Sequence, residues 1–227
     1  NSVNTPSFKS DDVYIVVSFS VTMKEHSVSS HPSVHDKVTL VPFGAIKLFS
    51  SLNYRGAGTI EFLVSENDFY FMEVNARIQV EHPVSEFVSG IDIIREQIRV
   101  CDNQALEIPS EKIQLNGWAM EARINAKTPG QITKLQIPGG PGIRFDSFIY
   151  QGYSVLPHYD SMIAKLIAYD TDRNKVIKKL LCALEELKIE GISTNIEEQK
   201  EILKAKKFID GNFGTNLYSE LFPTKNK

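Results

Sequence analysis

Between residues 73 and 81 the chain reads Glu-Val-Asn-Ala-Arg-Ile-Gln-Val-Glu, with polar and apolar residues in unbroken alternation. Successive side chains of an extended chain point to opposite faces. The pattern therefore excludes a helix and predicts a strand with Val74, Ala76, Ile78 and Val80 on one side. Its other side carries Glu73, Asn75, Arg77, Gln79 and Glu81. The ordinary reading of such a face is the wet side of a half-buried strand. The residue types argue for more, because a solvated face draws mainly on Thr, Lys and Ser, and Asn suits strands poorly. Two carboxylates, a guanidinium and two amides together can hold a cation beside an anion.

A partner for this strand lies just upstream. Thr59 to Ser65 is a second strand-like run, and the turn-prone Glu66-Asn67-Asp68 joins it to the run Phe69 to Glu81 as a predicted hairpin. With a three-residue loop, Ser65 faces Phe69 and Glu61 falls directly opposite Glu73. A two-residue loop would put the two acids on opposite faces. Like charges opposed across strands repel, so the first register makes sense with a cation between them. Two carboxylates and the Asn75 amide oxygen suit Mg²⁺, leaving positions for phosphate oxygens and water. A second alternating run, Gly117 to Asn125, places Glu121, Arg123 and Asn125 on one face. Arg123 by itself reads as a surface arginine, but its planar, permanently charged fork is what a bicarbonate, carboxylate or enolate oxygen needs beside it. His82 reads as a turn residue, and Asp160 as a local cap or the partner of an arginine.

Composition limits the function classes. Of 227 residues 42% are apolar, enough for one sizeable core or two small ones, and 25 basic against 28 acidic side chains leave no surplus for neutralising nucleic-acid phosphates. No run approaches the ~20 apolar residues of a membrane span. Asp11 and Asp12 precede the apolar stretch Val13 to Phe19, where a secretory leader would carry positive charge. Cys101 and Cys182, each beside an apolar residue, read as buried free thiols, which fits the cytoplasm or a reducing organelle matrix.

Along the chain, residues 1–36 are Ser- and His-rich and read as one strand, Val13 to Val17, without a clear partner, followed by a mobile linker. His26, His31 and His35 lack the acidic or thiol companions and the regular spacing of a metal site. Ala45 to Leu52 has a helical look, and Arg55-Gly56-Ala57-Gly58 supplies a turn. Pro83 opens a helical region reaching about Val100 and broken near Gly90. Strands are expected at Gly117–Ala126, Gln131–Gln136, Ile143–Phe145 and Met162–Tyr169. Asp172 then caps a helix whose stripe Val176, Ile177, Leu180, Leu181, Leu184 and Leu187 lasts until Gly191. Thr194 and Glu197 make a capping box for a last helix.

Four stretches together resemble biotin carboxylase, the ATP-grasp component of acetyl-CoA, propionyl-CoA and pyruvate carboxylases. They are Arg55 to Phe62, Met72 to Pro83 with its Arg-Ile-Gln-Val-Glu-His-Pro string, Glu121 to Ala126, and Tyr159 to Lys165. The resemblance runs from about Gly44 to Leu221. It implies an α+β fold of antiparallel sheets covered by helices. The expected division is an unmatched segment 1–36, the C-terminal portion of an ATP-grasp domain at 37–110, the biotin carboxylase C-terminal domain at 111–222 and a tail at 223–227, with two packed parts joined near 103–112.

The implied reaction is ATP-dependent carboxylation of biotin by bicarbonate through carboxyphosphate. By resemblance Glu61, Glu73 and Asn75 hold Mg²⁺ or Mn²⁺ against the ATP phosphates, and Arg77, Gln79 and Val80 grip bicarbonate. Glu81 is its general base, Arg123 steadies the biotin enolate oxygen, and Leu63 and Leu217 line the adenine pocket. The implied partners are a biotin carboxyl carrier protein or domain, a carboxyltransferase, and a second copy through the C-terminal domain; neither nucleic acid nor a membrane is expected. The family's N-terminal α/β domain, glycine-rich lid and phosphate-binding lysines find no match here, and the turn after Pro129 is shorter. The isolated chain is therefore expected to show little bicarbonate-dependent ATPase activity and to expose apolar surface over residues 40–110. Rival readings are a non-catalytic fragment or subunit-interaction module, and another ATP-grasp ligase such as carbamoyl-phosphate synthetase.

Overall fold

The computed structural model describes residues 15–23, 49, 51–52, 54–64, 69–107, 114–214 and 216–223, with 15–23, 62–64 and 69 described by their backbone alone. The chain divides into two units: the first holds residues up to His82 together with Ser89–Leu115, and the second Pro83–Val88 with Asn116 onward.

The first unit contains a three-stranded sheet in the order β1 (Ile15–Met23), β2 (Gly56–Val64), β3 (Phe69–Asn75). β1 has a partner after all, because it runs parallel to β2, with Ile15 beside Gly56 and Met23 beside Val64. That pairing is the exception to the expected antiparallel sheets. Gly56 to Gly58 belong to β2 and not to a turn, and Gly58 is needed because Phe49 leaves no room: a Cβ there would sit 2.7 Å from the ring's Cζ. Phe49, Ala57, Thr59, Ile60, Ile93 and Val100 are all buried in this unit. The last two come from the helix α2 (Ile93–Cys101), which Asp92 caps by accepting from the Arg95 N–H at 2.8 Å. α1 (His82–Ser89) starts one residue before the expected Pro83, and Gly90 at φ +71° separates it from α2. Of Ala45 to Leu52, Phe49 and Ser51 are helical and Leu52 lies in a turn; the rest falls outside the described residues, as do the linker after β1 and His26, His31 and His35.

The second unit is built on an antiparallel sheet, β4 (Trp118–Asn125), β9 (Met162–Asp170), β7 (Ile143–Ser147), with β9 central. Two short ribbons flank it: β5 (Gly130–Gln131) with β8 (Ser154–Val155), and β6 (Lys134–Gln136) with β10 (Lys188–Glu190). The expected strand 131–136 is thus split, since Ile132 turns into the core and is fully buried. α3 (Arg173–Glu186) lays Val176, Ile177, Leu180, Ala183 and Leu184 against Ile124, Leu166 and Ala168. It ends before Gly191, because Leu187 is extended (ψ 119°) and buried, and the next three residues pair with β6. α4 (Ile196–Lys204), α5 (Lys206–Ile209) and α6 (Leu217–Leu221) complete the unit. No capping box opens α4: its N-cap is Asn195, without a side-chain cap bond, and Glu197 pairs with Lys200 at 2.7 Å. Both cysteines are free and exposed, not buried, so the apolar neighbours point inward without them. Among the described residues no helix is long and apolar enough to cross a membrane.

Candidate functional site

Glu61 and Glu73 face each other across β2 and β3, by a different route from the one expected. Ser65 to Asp68 lie outside the described residues, but Val64 pairs with Phe69, which alone would put Glu61 opposite Met72. A bulge between Glu61 and Phe62 inserts Met72 as an extra residue and restores the register that juxtaposes the two acids. Bulges re-aim side chains in this way beside functional sites.

The polar companions bind to the acids. The Asn75 amide nitrogen donates to Glu73 Oε1 at 2.8 Å and to Glu61 Oε1 at 3.3 Å. Gln79 Nε2 donates to the same Glu61 oxygen at 3.1 Å. Arg77 donates to Asn75 Oδ1 at 3.4 Å and to its neighbour's carbonyl at 3.2 Å. These residues do not share one strand face, however. β3 stops at Asn75, the chain bends at Arg77, and Gln79 to Glu81 turn into α1. His82 fixes that turn, its Nδ1 lying 2.8 Å from the Gln79 carbonyl oxygen. The bend brings Gln79 back to Glu61, which alternation along a strand would carry away. A narrow cleft lies between the bend and β2, lined by Gly58, Thr59, Arg77, Gln79 and His82. Gln79 Oε1 is buried there without a hydrogen-bond partner. Glu81 and Val80, both half-buried, lie in the turn itself.

Two opposed carboxylates with two amides form a hard, oxygen-rich donor set suited to Mg²⁺ or Mn²⁺. The amide N–H groups of Asn75, on both acids, and of Gln79, on Glu61, stand where positive charge is called for, and rotation of the Asn75 amide presents its Oδ1 instead. The residues fit the ion. Among the described residues no cluster of three or more His, Cys, Asp or Glu side chains offers an alternative centre.

Arg123 stands in the second unit, on β4, with its side chain half-exposed. Its Nε lies 3.7 Å from Glu121 Oε1, a carboxylate whose side chain is 5% exposed, as their shared strand face requires. Its carbonyl accepts from Asn195 Nδ2 at 3.0 Å and Gln199 Nε2 at 3.4 Å. Sequence reasoning missed both amides: the spacing i, i+4 on one helix was the available signal, and the capping pattern around them concealed it. Asp160 accepts from the Met162 N–H at 2.9 Å, a local turn before β9. Leu217 is buried at the start of α6, and the Leu63 side chain lies outside the described residues.

In the same unit Arg144 makes a two-pronged pair with Asp146 (2.8 Å each) and reaches Glu86 at 2.5 Å. The Asp146 bonds, with Glu86 in support, push the guanidinium's pKa further up.

Comparison with known proteins bears on this arrangement. Residues 121–220 match the family model of the biotin carboxylase C-terminal domain, and residues 24–109 match that of the ATP binding domain of the carbamoyl-phosphate synthase L chain. The chain is 47% identical over 174 residues to the biotin carboxylase of Haemophilus influenzae, a match covering 74% of this chain and 38% of that protein. A Campylobacter jejuni biotin carboxylase crystal structure superposes with a TM-score of 0.74 at 48% identity, over 78% of this chain and 41% of that one. The biotin carboxylase domain dimer of Hydrogenobacter thermophilus 2-oxoglutarate carboxylase, solved with MgADP, ADP and bicarbonate, gives 0.77 at 37% identity over 84% and 43%. The chain spans about two fifths of the length of these relatives. It belongs with the biotin carboxylases, carrying their C-terminal domain over residues 121–220, and its matched part corresponds to the C-terminal half of such an enzyme.

Proposed function

We propose that this chain supplies the metal- and bicarbonate-binding part of an ATP-dependent biotin carboxylase, a ligase forming a carbon–nitrogen bond. The observation that carries the proposal is the opposition of Glu61 and Glu73, bridged by the Asn75 amide, with the Gln79 amide on Glu61. Glu61, Glu73 and Asn75 hold Mg²⁺ or Mn²⁺ and, with Leu63 and Leu217 near the base, ATP. The ion, when bound, neutralises charge that develops on the transferring phosphoryl oxygens.

The cleft beside them suits a small oxyanion. Arg77 offers a charged fork, the turn at Gln79 and Val80 offers main-chain groups, and the orphaned Gln79 Oε1 accepts a hydroxyl, which bicarbonate carries. Glu81 takes up that proton as general base. Arg123 steadies the oxygen of the biotin ureido ring by a charge-assisted hydrogen bond as the enolate forms. The partners are a biotin carboxyl carrier protein or domain, a carboxyltransferase, and a second copy through the C-terminal domain.

The test uses Mn²⁺ as a spectroscopic probe, with and without ATP. The chain is expected to bind the ion, and Glu61→Gln and Glu73→Gln are each expected to weaken it by roughly tenfold or more, a hydrogen-bond-sized loss at least. Equal Mn²⁺ binding by the double variant would defeat the reading. A second reading, supported by the two-fifths coverage, is a module that binds nucleotide or carrier without turnover. Because the chain alone is expected to release little phosphate under either reading, biotin- and bicarbonate-dependent phosphate release after complementation with the N-terminal half of a relative separates the two.

A further inference from the structure

β4 is an edge strand, and the side away from β9 needs partners for its main-chain groups. Ser193 to Asn195 provide them: the Lys127 N–H donates to the Ser193 carbonyl at 2.8 Å, Ala126 bridges Thr194, and the Asn195 N–H donates to the Asn125 carbonyl at 3.1 Å. There the chain turns into α4 and main-chain pairing ends. The Asn195 side chain carries the ladder one step further. Its Oδ1 accepts from the Asn125 N–H at 2.8 Å, and its Nδ2 donates to the Arg123 carbonyl at 3.0 Å. A carboxamide has the same donor and acceptor as a peptide group, so Asn195 acts as a surrogate rung beside Arg123. Gln199, one turn along, donates to the same oxygen.

This use of Asn195 leaves the start of α4 without the cap that asparagine favours most. Departures from local preference of this kind gather where function demands them. We propose that Asn195, seconded by Gln199, is a positioning residue for Arg123, fixing the main chain from which the guanidinium is aimed, with the buried Glu121 carboxylate 3.7 Å from its Nε. The inference rests on the reading of Arg123 as the group that meets the biotin oxygen.

The experiment is a titration of the full, isotope-labelled chain with free biotin, following the Arg123 Nε–H signal by NMR. Asn195→Asp keeps size and the acceptor for the Asn125 N–H but sets a carboxylate oxygen against the Arg123 carbonyl. It is expected to shift the Arg123 signal and to weaken biotin binding by roughly tenfold, the worth of one well-placed hydrogen bond. Asp172→Ala, which removes the cap of α3, serves as a control that lowers stability and leaves biotin affinity unchanged. Should Asn195→Asp lower stability as the control does, with the Arg123 signal and biotin affinity untouched, Asn195 merely closes a sheet edge and the proposal is overturned. An Arg123 signal unmoved by biotin in the unaltered chain overturns the reading of Arg123 itself, and the positioning role with it. Where Asn195→Asp fails to fold, Gln199→Ala removes only the longer bond, and a fall in biotin affinity of roughly twofold supports the proposal while none opposes it.

Discussion

Gly58 illustrates how single residues set the site. Its missing side chain lets the Phe49 ring lie against β2 three residues from Glu61, where a Cβ would meet the ring at 2.7 Å. Gly58→Ala is expected to lose about 1–3 kcal/mol, the usual penalty of overpacking, measured by urea unfolding. Asp170 gives a pH signature. The Lys179 ammonium 2.8 Å away, and after it the Thr171 N–H, hold its carboxyl at about 2 against an ordinary 3.8. A carboxylate lowered on folding stabilises above its ordinary range, and that contribution disappears as the pH falls from 3.8 through about 2. Asp170→Asn should flatten the stability profile in that window, read from urea midpoints at each pH. At this scale the Glu61–Glu73 opposition was legible, because pairing and chemistry together admit one sensible register. The exposure of Cys101 and Cys182 was not, since an apolar neighbour does not say which side of a helix a thiol occupies.

Elements were legible where a period and a cap agree. Asp172 accepts from the Asn174 and Lys175 N–H groups at 3.0 and 3.1 Å, and the apolar stripe behind it faces the core. Asp172→Ala is expected to cost about 1 kcal/mol, visible as a lower melting temperature. Ends failed where tertiary pairing competes with propensity. The helical pattern runs on past Glu186, yet Lys188–Glu190 gain strand partners in β6, and Leu187 stays buried in an extended backbone. β3 shows the same lesson in reverse. Its alternation continues to Glu81, but Gln79 gains Glu61, and His82 closes a turn on the Gln79 carbonyl. The bulge at Met72 has no sequence signal of its own, because it offsets by one residue the register that begins with Val64 beside Phe69.

For the molecule as a whole, β3 is the conspicuous surface. Tyr70, Phe71 and Met72 are half-exposed or more on the outer strand of the β1–β2–β3 order, and three consecutive apolar side chains facing solvent invite association. Self-association rising with concentration is expected in light scattering, and Phe71→Lys should reduce it; a clean monomer at high concentration would contradict this. The α+β character and family of the chain were readable from four short strings. That residues 83–88 count with the second unit was not, because it depends on where α1 spends its side chains.

Residues 83–88 count with Asn116 onward, whereas the residues on both sides of them count with the first unit. Glu86 meets Arg144, Phe87 stacks on Tyr169 with ring centroids 5.6 Å apart, and the Val88 carbonyl accepts from the Asn116 N–H at 2.8 Å. No single proteolytic cut can therefore separate the two units intact. A fragment beginning at Asn116 would leave Arg144 with Asp146 but without Glu86, and the Tyr169 ring without Phe87, whereas one beginning at Pro83 keeps both contacts, so dissection of this protein should start upstream of the seam that the sequence displays.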